Sequence, residues 1–176
     1  MRYGFAIALA VAGVLLDLGT GKAQQPAPNP MDVIPDKMPF NVPYGSPITL
    51  KRAEAALQAT LDEATKRGWE MNVTVVGPTG DLVAFARMDN AQLASVQISQ
   101  HKARAAAQFR RPTHILEDAI QKSDAKYLVT LDGIIASRGG IPLIEDGKLI
   151  GAIGCSGGTG SQDEAVCSVG AATINK

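Results

Sequence analysis

The chain has 176 residues, 45% of them hydrophobic, with 17 basic and 17 acidic side chains. That length fits one domain with a sizeable core rather than two. A net charge of zero offers no bulk attraction to nucleic acid or to an anionic membrane.

Residues 1–23 read as a cleaved secretory signal. Arg2 supplies the positive start, Phe5 to Leu16 is an apolar run too short to span a bilayer well, and Gly21-Lys22-Ala23 places small residues before a cut at Gln24. The expected location is therefore periplasmic or secreted. Residues 24–48 form a proline-rich arm, with seven of the ten prolines between Pro26 and Pro47, which excludes helix and central strand. Its Met31, Val33, Ile34, Met38, Phe40, Val42 and Tyr44 are too apolar for a simple solvated linker, so the arm is expected to pack on the domain or on a neighbouring subunit; a disordered tether, above all up to Pro30, is the alternative.

The domain proper runs over 49–176. Thr49 is placed to cap a helix whose apolar positions Leu50, Ala53, Leu57, Leu61 and Ala64 recur at helical spacing until Gly68. Met71 to Val76 and Leu82 to Met88 read as a hairpin across Gly77-Pro78-Thr79-Gly80. Ala91 to Phe109 is a second long helix, Arg111-Pro112 breaks it, and Thr113 is placed to cap a third. A short strand is expected around Ile134-Ile135. Pro142 to Ile144 and Lys148 to Gly154 form a hairpin across Asp146-Gly147, a pair that tolerates the positive φ of a type I′ turn. Ser161-Gln162-Asp163-Glu164 reads as the capping box of a last helix. Hairpin-joined strands with helices between them make an α+β domain.

Export bears on the two cysteines. Cys155 at a strand end and Cys167 in the following helix form an even pair, which in an oxidising compartment is normally a disulfide; two buried free thiols are the alternative. No CxxC motif and no zinc-ligand spacing is present.

The clearest charge cluster is basic. His101, Lys102, Arg104, Arg110, Arg111 and His114 fall in a stretch with no acid between Asp89 and Glu117. Such a face suits carboxylates, phosphates or the propionates of a tetrapyrrole, unless other segments supply its counter-charges. His101 and His114, the only histidines, are each a candidate ligand for a haem iron. The loop Ser156-Gly157-Gly158-Thr159-Gly160 reads as a pocket wall, because Asp163 and Glu164 in the following helix start argue against a bound phosphate. Ser156 lacks the G-x-S-x-G setting of a hydrolase nucleophile.

Several short segments occur together in order: Asn72-Val-Thr-Val-Val-Gly77, Gly80-Asp-Leu-Val-Ala-Phe-Ala-Arg-Met-Asp89, Ala91-Gln-Leu-Ala-Ser95, Lys102-Ala-Arg-Ala-Ala106, Phe109-Arg-Arg-Pro-Thr113, Gly139-Gly140-Ile-Pro142, Gly151-Ala-Ile-Gly154, Ser156-Gly-Gly158 and Gln162-Asp163-Glu164. With them, residues 49–174 resemble the GlcG/HbpS-like haem-binding family, also described as haem-degrading and related to the C-terminal domain of PduO-type proteins. The resemblance implies a profilin-like fold, an antiparallel sheet of about five strands flanked by helices, and assembly into homo-oligomers. It implies haem as cofactor. Lys102 and Thr113 match motif positions and are candidates near the ligand. His101 and His114 fall beside motif positions and rest on their chemistry. The expected binding set is His101, Lys102, Arg104, Thr113, His114, Gly157 and Gly158. The expected function is an exported haem-binding protein for haem or redox sensing, storage or handling. The alternatives are a binding module for another small molecule, an organic acid or a corrinoid, and a haem-degrading enzyme.

Overall fold

The computed structural model describes residues 34–175; the expected signal sequence and residues 24–33 of the proline-rich stretch lie outside the described residues. The elements are α1 (Leu50–Arg67), β1 (Asn72–Val76), β2 (Leu82–Arg87), α2 (Ser95–Gln108), α3 (Thr113–Lys122), a 3₁₀ turn (Lys126–Thr130), β3 (Gly140–Glu145), β4 (Lys148–Ser156) and α4 (Gly160–Ala172). The four strands form one antiparallel sheet in the order β2-β1-β4-β3. This is the expected α+β architecture with one strand fewer.

The missing strand is the one expected at Ile134-Ile135. That segment runs instead past the end of α2, with Gly133 beside Gln108 and Phe109. The neighbouring edge of β3 is already closed. Gly140 N donates to Thr113 Oγ1, Ile144 N donates to Asn175 Oδ1, Asn175 Nδ2 donates to the Pro142 carbonyl, and Pro142 has no N–H to offer. No outward N–H of β3 is left there for a fifth strand.

Two element starts also differ from expectation. The α2 helix begins at Ser95, four residues after Ala91, because Asn90 takes a left-handed φ of 62° and no side chain caps the helix start. The cap of α4 is Thr159 rather than Ser161. Thr159 Oγ1 accepts from Gln162 N and the Gln162 side chain returns to Thr159 N, so the box sits two residues earlier. Asp163 and Glu164 are thereby released for longer-range bonds. Gly68 ends α1 in the left-handed region, and Asp146 and Gly147 turn the β3–β4 hairpin at φ 49° and 71°.

The sheet has two different faces. On one, Val73, Val75, Leu143, Ile153 and Cys155 pack against Ala53, Ala56, Leu57 and Ala64 of α1 and Val166, Cys167 and Ala171 of α4. Each fully buried Val, Leu or Ile there contributes roughly 1.5–3 kcal/mol. Cys155 and Cys167 are joined by a disulfide, which pins the end of β4 to the middle of α4.

The other face takes α2 through small residues: Val76 and Ala152 meet Ala103, Ala106 and Ala107. Contact is backbone to backbone. A Cβ on Gly154 would lie 2.2 Å from the Ser99 carbonyl, and one on Gly140 would lie 2.3 Å from the Lys102 carbonyl. Thr74 Oγ1 and Ser99 Oγ, 2.9 Å apart, and Ser156 Oγ bonded to Ser95 Oγ satisfy the buried hydroxyls of this seam.

Residues 43–48 continue the sheet where β1 stops. Leu149 N donates to the Pro43 carbonyl, Gly45 N to the Leu149 carbonyl and Ile48 N to the Ile150 carbonyl.

Gly154→Ala is expected to cost about 3 kcal/mol, the upper range for overpacking, because backbone rather than a mobile side chain stands in the way. Urea denaturation of the variant checks this.

Candidate functional site

The α2 helix carries most of the predicted site, and its 3.6-residue period sorts those residues onto opposite faces. Lys102 points at the sheet. Its side chain is 1% exposed, and Nζ lies 2.7 Å from Asp163 Oδ2, itself on a side chain 3% exposed. Asp163 Oδ1 accepts from Gly157 N and Gly158 N at 3.0 Å each. One carboxylate therefore holds the lysine of α2 and both predicted loop glycines. These amides serve the fold's own anion, and a Cβ on Gly157 would fall 2.1 Å from the Glu70 carbonyl.

Thr113 is also interior, fully buried as the guard of the β3 edge. His114 is half-exposed, and its Nδ1 lies 2.6 Å from Glu164 Oε1. Arg138 joins this end of the molecule. It reaches Glu117 at 3.0 Å and Asp118 at 3.5 Å, and its backbone N–H donates to Glu117 Oε2 at 2.7 Å. Burial raises the Glu117 pKa, but the side-chain and backbone hydrogen bonds from Arg138 outweigh it and hold the group below the usual carboxylate value.

The helix exit is engaged by the arm. Arg110 Nη1 donates to the Val42 carbonyl, and its guanidinium lies 5.5 Å from the Tyr44 ring centroid. Arg111 lies 3.6 Å over Phe40, where burial pushes its pKa down. Tyr44 Oη donates to the Gln108 carbonyl.

His101 and Arg104 remain on the outer face of α2. They line a groove of about 760 Å³ with Val96, Gln97, Ile98, Gln100, Gln108 and Gly133. Among the described residues His101 makes no hydrogen bond or ion pair, and Arg104 donates only to its neighbour Gln100. Gly157 and Gly158 line a separate cavity of about 260 Å³ with Trp69, Glu70, Met71, Asn90, Gln92 and Gln162. The predicted set is thus divided. His101 and Arg104 share one groove, Gly157 and Gly158 another, Lys102 and Thr113 are interior, and His114 belongs to the Arg138 cluster. Val96, Ile98 and Gln100 were not singled out from the sequence, although their spacing with His101 and Arg104 carries the signal for a shared helix face.

The donor set of the outer groove suits a tetrapyrrole. It offers one imidazole without a partner, one guanidinium of the kind that pairs with propionates, and two aliphatic side chains for a ring face. Among the described residues no cluster of three or more His, Cys, Asp or Glu is arranged to hold a free metal ion.

Residues 48–172 match the family model described as haem degrading protein HbpS-like. Protein GlcG of Escherichia coli (strain K12) is 36% identical over 109 residues, which span 62% of this chain and 81% of GlcG. The crystal structure of HbpS is similar at a TM-score of 0.70 and 27% identity, covering 80% of this chain and 99% of HbpS. The crystal structure of a PduOC complex with haem is similar at a TM-score of 0.66 and 26% identity, over 73% and 96% of the two chains.

Two expected outcomes test this geometry. Lys102→Met leaves Asp163 buried without its cation and is expected to cost about 3–5 kcal/mol, read by chemical denaturation. Glu117, with its pKa depressed in the fold, contributes stability that is complete above its unfolded pKa and is lost as pH falls through the folded value. Thermal midpoints measured from pH 7 to pH 3 are therefore expected to fall less steeply in Glu117→Gln than in the parent.

Proposed function

The chain belongs to the HbpS-like family, and on that premise we propose that it binds haem on the outer face of α2. The observation that carries this reading is the groove holding His101 without a protein partner beside Arg104. A groove of about 760 Å³ lies within the range of roughly 300–1,000 Å³ usual for cofactor and ligand sites. His101 would ligate the iron, Arg104 would pair with a propionate, and Val96 and Ile98 would lie against the ring. Haem supplies redox and ligand-binding chemistry at its iron when bound; the chain's own part is to bind it, orient it and keep one face from water. The matching haem degrading HbpS-like family and the similar PduOC–haem complex support the same ligand.

The wider role we propose is haem handling, storage or sensing in the periplasm or outside the cell. The start of the sequence supports export, and the buried Cys155–Cys167 bridge is of the kind that persists in oxidising compartments. The smaller cavity beside Gly157 and Gly158, lined also by Trp69, Asn90 and Gln92, favours a second reading, a site for another small molecule.

Titration with haemin is expected to give a Soret shift that saturates at one haem per chain. His101→Ala should weaken it by about tenfold or more, the loss of a ligand-strength interaction, while His114→Ala leaves it unchanged. No spectral change at micromolar haemin refutes the reading, and an unchanged spectrum in His101→Ala refutes the assigned ligand.

A further inference from the structure

The smaller cavity lies where several connections meet. Trp69, Glu70 and Met71 come from the link between α1 and β1, Asn90 and Gln92 from the link between β2 and α2, and Gln162 from α4, beside Gly157 and Gly158. Its volume of about 260 Å³ falls below that of a drug-sized site and fits a ligand of a few non-hydrogen atoms. Its polar atoms decide which charge such a ligand carries.

The donors that this loop would offer an anion are already used. Gly157 N and Gly158 N both donate to Asp163 Oδ1. The acceptors are not used. Among the described residues neither the Glu70 carboxylate nor the Asn90 side chain makes a hydrogen bond or ion pair. Gln92 gives its Nε2 to Ser95 Oγ, and its Oε1 receives no donor. Asn72, fully buried, gives its Nδ2 to the carbonyls of Gln92 and of Ser156, the residue before Gly157. Its Oδ1 is buried without a partner. A buried acceptor with no donor is costly and uncommon. Turning the amide over would set that oxygen against two carbonyls, so the unmet group stays an acceptor.

Charge points the same way. Glu70 is the single charged residue among those that line the cavity. Nearby Arg67 stands 5.0 Å from the Trp69 ring centroid but is balanced by Glu63 at 2.6 Å. The wall therefore combines one uncompensated carboxylate, several free carbonyl-type oxygens and an aromatic ring.

We infer that this cavity is a site for a small primary ammonium ion. Glu70 supplies the counter-charge, Asn90 and Gln92 supply acceptors for the N–H groups with Asn72 Oδ1 behind them, and Trp69 gives the carbon chain an apolar wall. A carboxylate would face Glu70 and find the loop amides taken. A quaternary ammonium would bring the charge but no N–H for the acceptors. The inference rests on this cavity being a small-molecule site, and it does not depend on haem.

Trp69 is the chain's single tryptophan, so its emission reports on this cavity. The test titrates the haem-free full chain with propylammonium chloride, against potassium chloride at equal concentration. A saturable change in emission is expected with propylammonium, a weaker one with tetramethylammonium, and none with propionate or propionamide. Glu70→Gln should weaken propylammonium binding by about tenfold, the loss of a charge-assisted hydrogen bond. Asn90→Gly suits the left-handed φ of 62° and removes only the side-chain amide. It should weaken binding by about threefold. Both variants are expected to keep the parent's far-ultraviolet circular dichroism and haemin titration. No saturable change with propylammonium overturns the inference, as does equal binding of tetramethylammonium or a Glu70→Gln variant that binds as the parent does. A saturable response to propionate or propionamide instead overturns the ammonium assignment and leaves the small-molecule reading standing. Silence with all the probes removes both.

Discussion

The contact between Lys102 and Asp163 governs the rest of the structure. Two opposite charges taken almost wholly out of water are costly unless each is fully bonded. Here the carboxylate meets that condition with the ammonium on one oxygen and two loop amides on the other. The geometry ties the middle of α2 to a segment 61 residues on, the first turn of α4 and the loop between β4 and α4 that leads into it. Moving any one of them would strand a buried charge. The disulfide one helical turn further along α4 fixes the same helix to the end of β4.

This contact also changes the meaning of the basic stretch. Six basic residues with no acid among them look, in sequence, like one anion-binding surface. In the fold they part company. Lys102 meets Asp163, His114 meets Glu164, and Arg110 and Arg111 lie against the carbonyl and aromatic rings of the arm. Only His101 and Arg104 present their charge-bearing groups to a groove. A broad electrostatic patch thus becomes a narrow site with one imidazole and one guanidinium.

Much of the architecture was legible because its causes are local. Helical spacing in α1, the Gly68 stop, the Asp146-Gly147 turn and the cysteine pair are each read within a dozen residues or so. What the sequence did not show depends on distance. The partner of Lys102 lies 61 residues away, and Thr113 meets Gly140 27 residues on. Ile134-Ile135 has the composition of a strand but no free edge to join, and composition cannot report that an edge is closed. The cap of α4 was displaced by two residues because Thr159 and Ser161 are both good capping residues, and the need of the loop amides for Asp163 decides between them. The division of the predicted site has the same origin. Spacing says that Lys102 and Arg104 lie on different sides of one helix, but not which side faces the sheet.

The seat of α2 on Gly140 and Gly154 has a consequence for how such a domain can diversify. Side chains that interlock transmit a change on one surface of a helix to its packing. A helix resting on bare backbone has its height above the sheet set by covalent geometry, so its outer positions can vary without shifting their own support. The character of the outer groove and foldedness then become separable properties, the first written on residues such as Val96, Ile98, His101 and Arg104, the second on the glycines and alanines beneath α2.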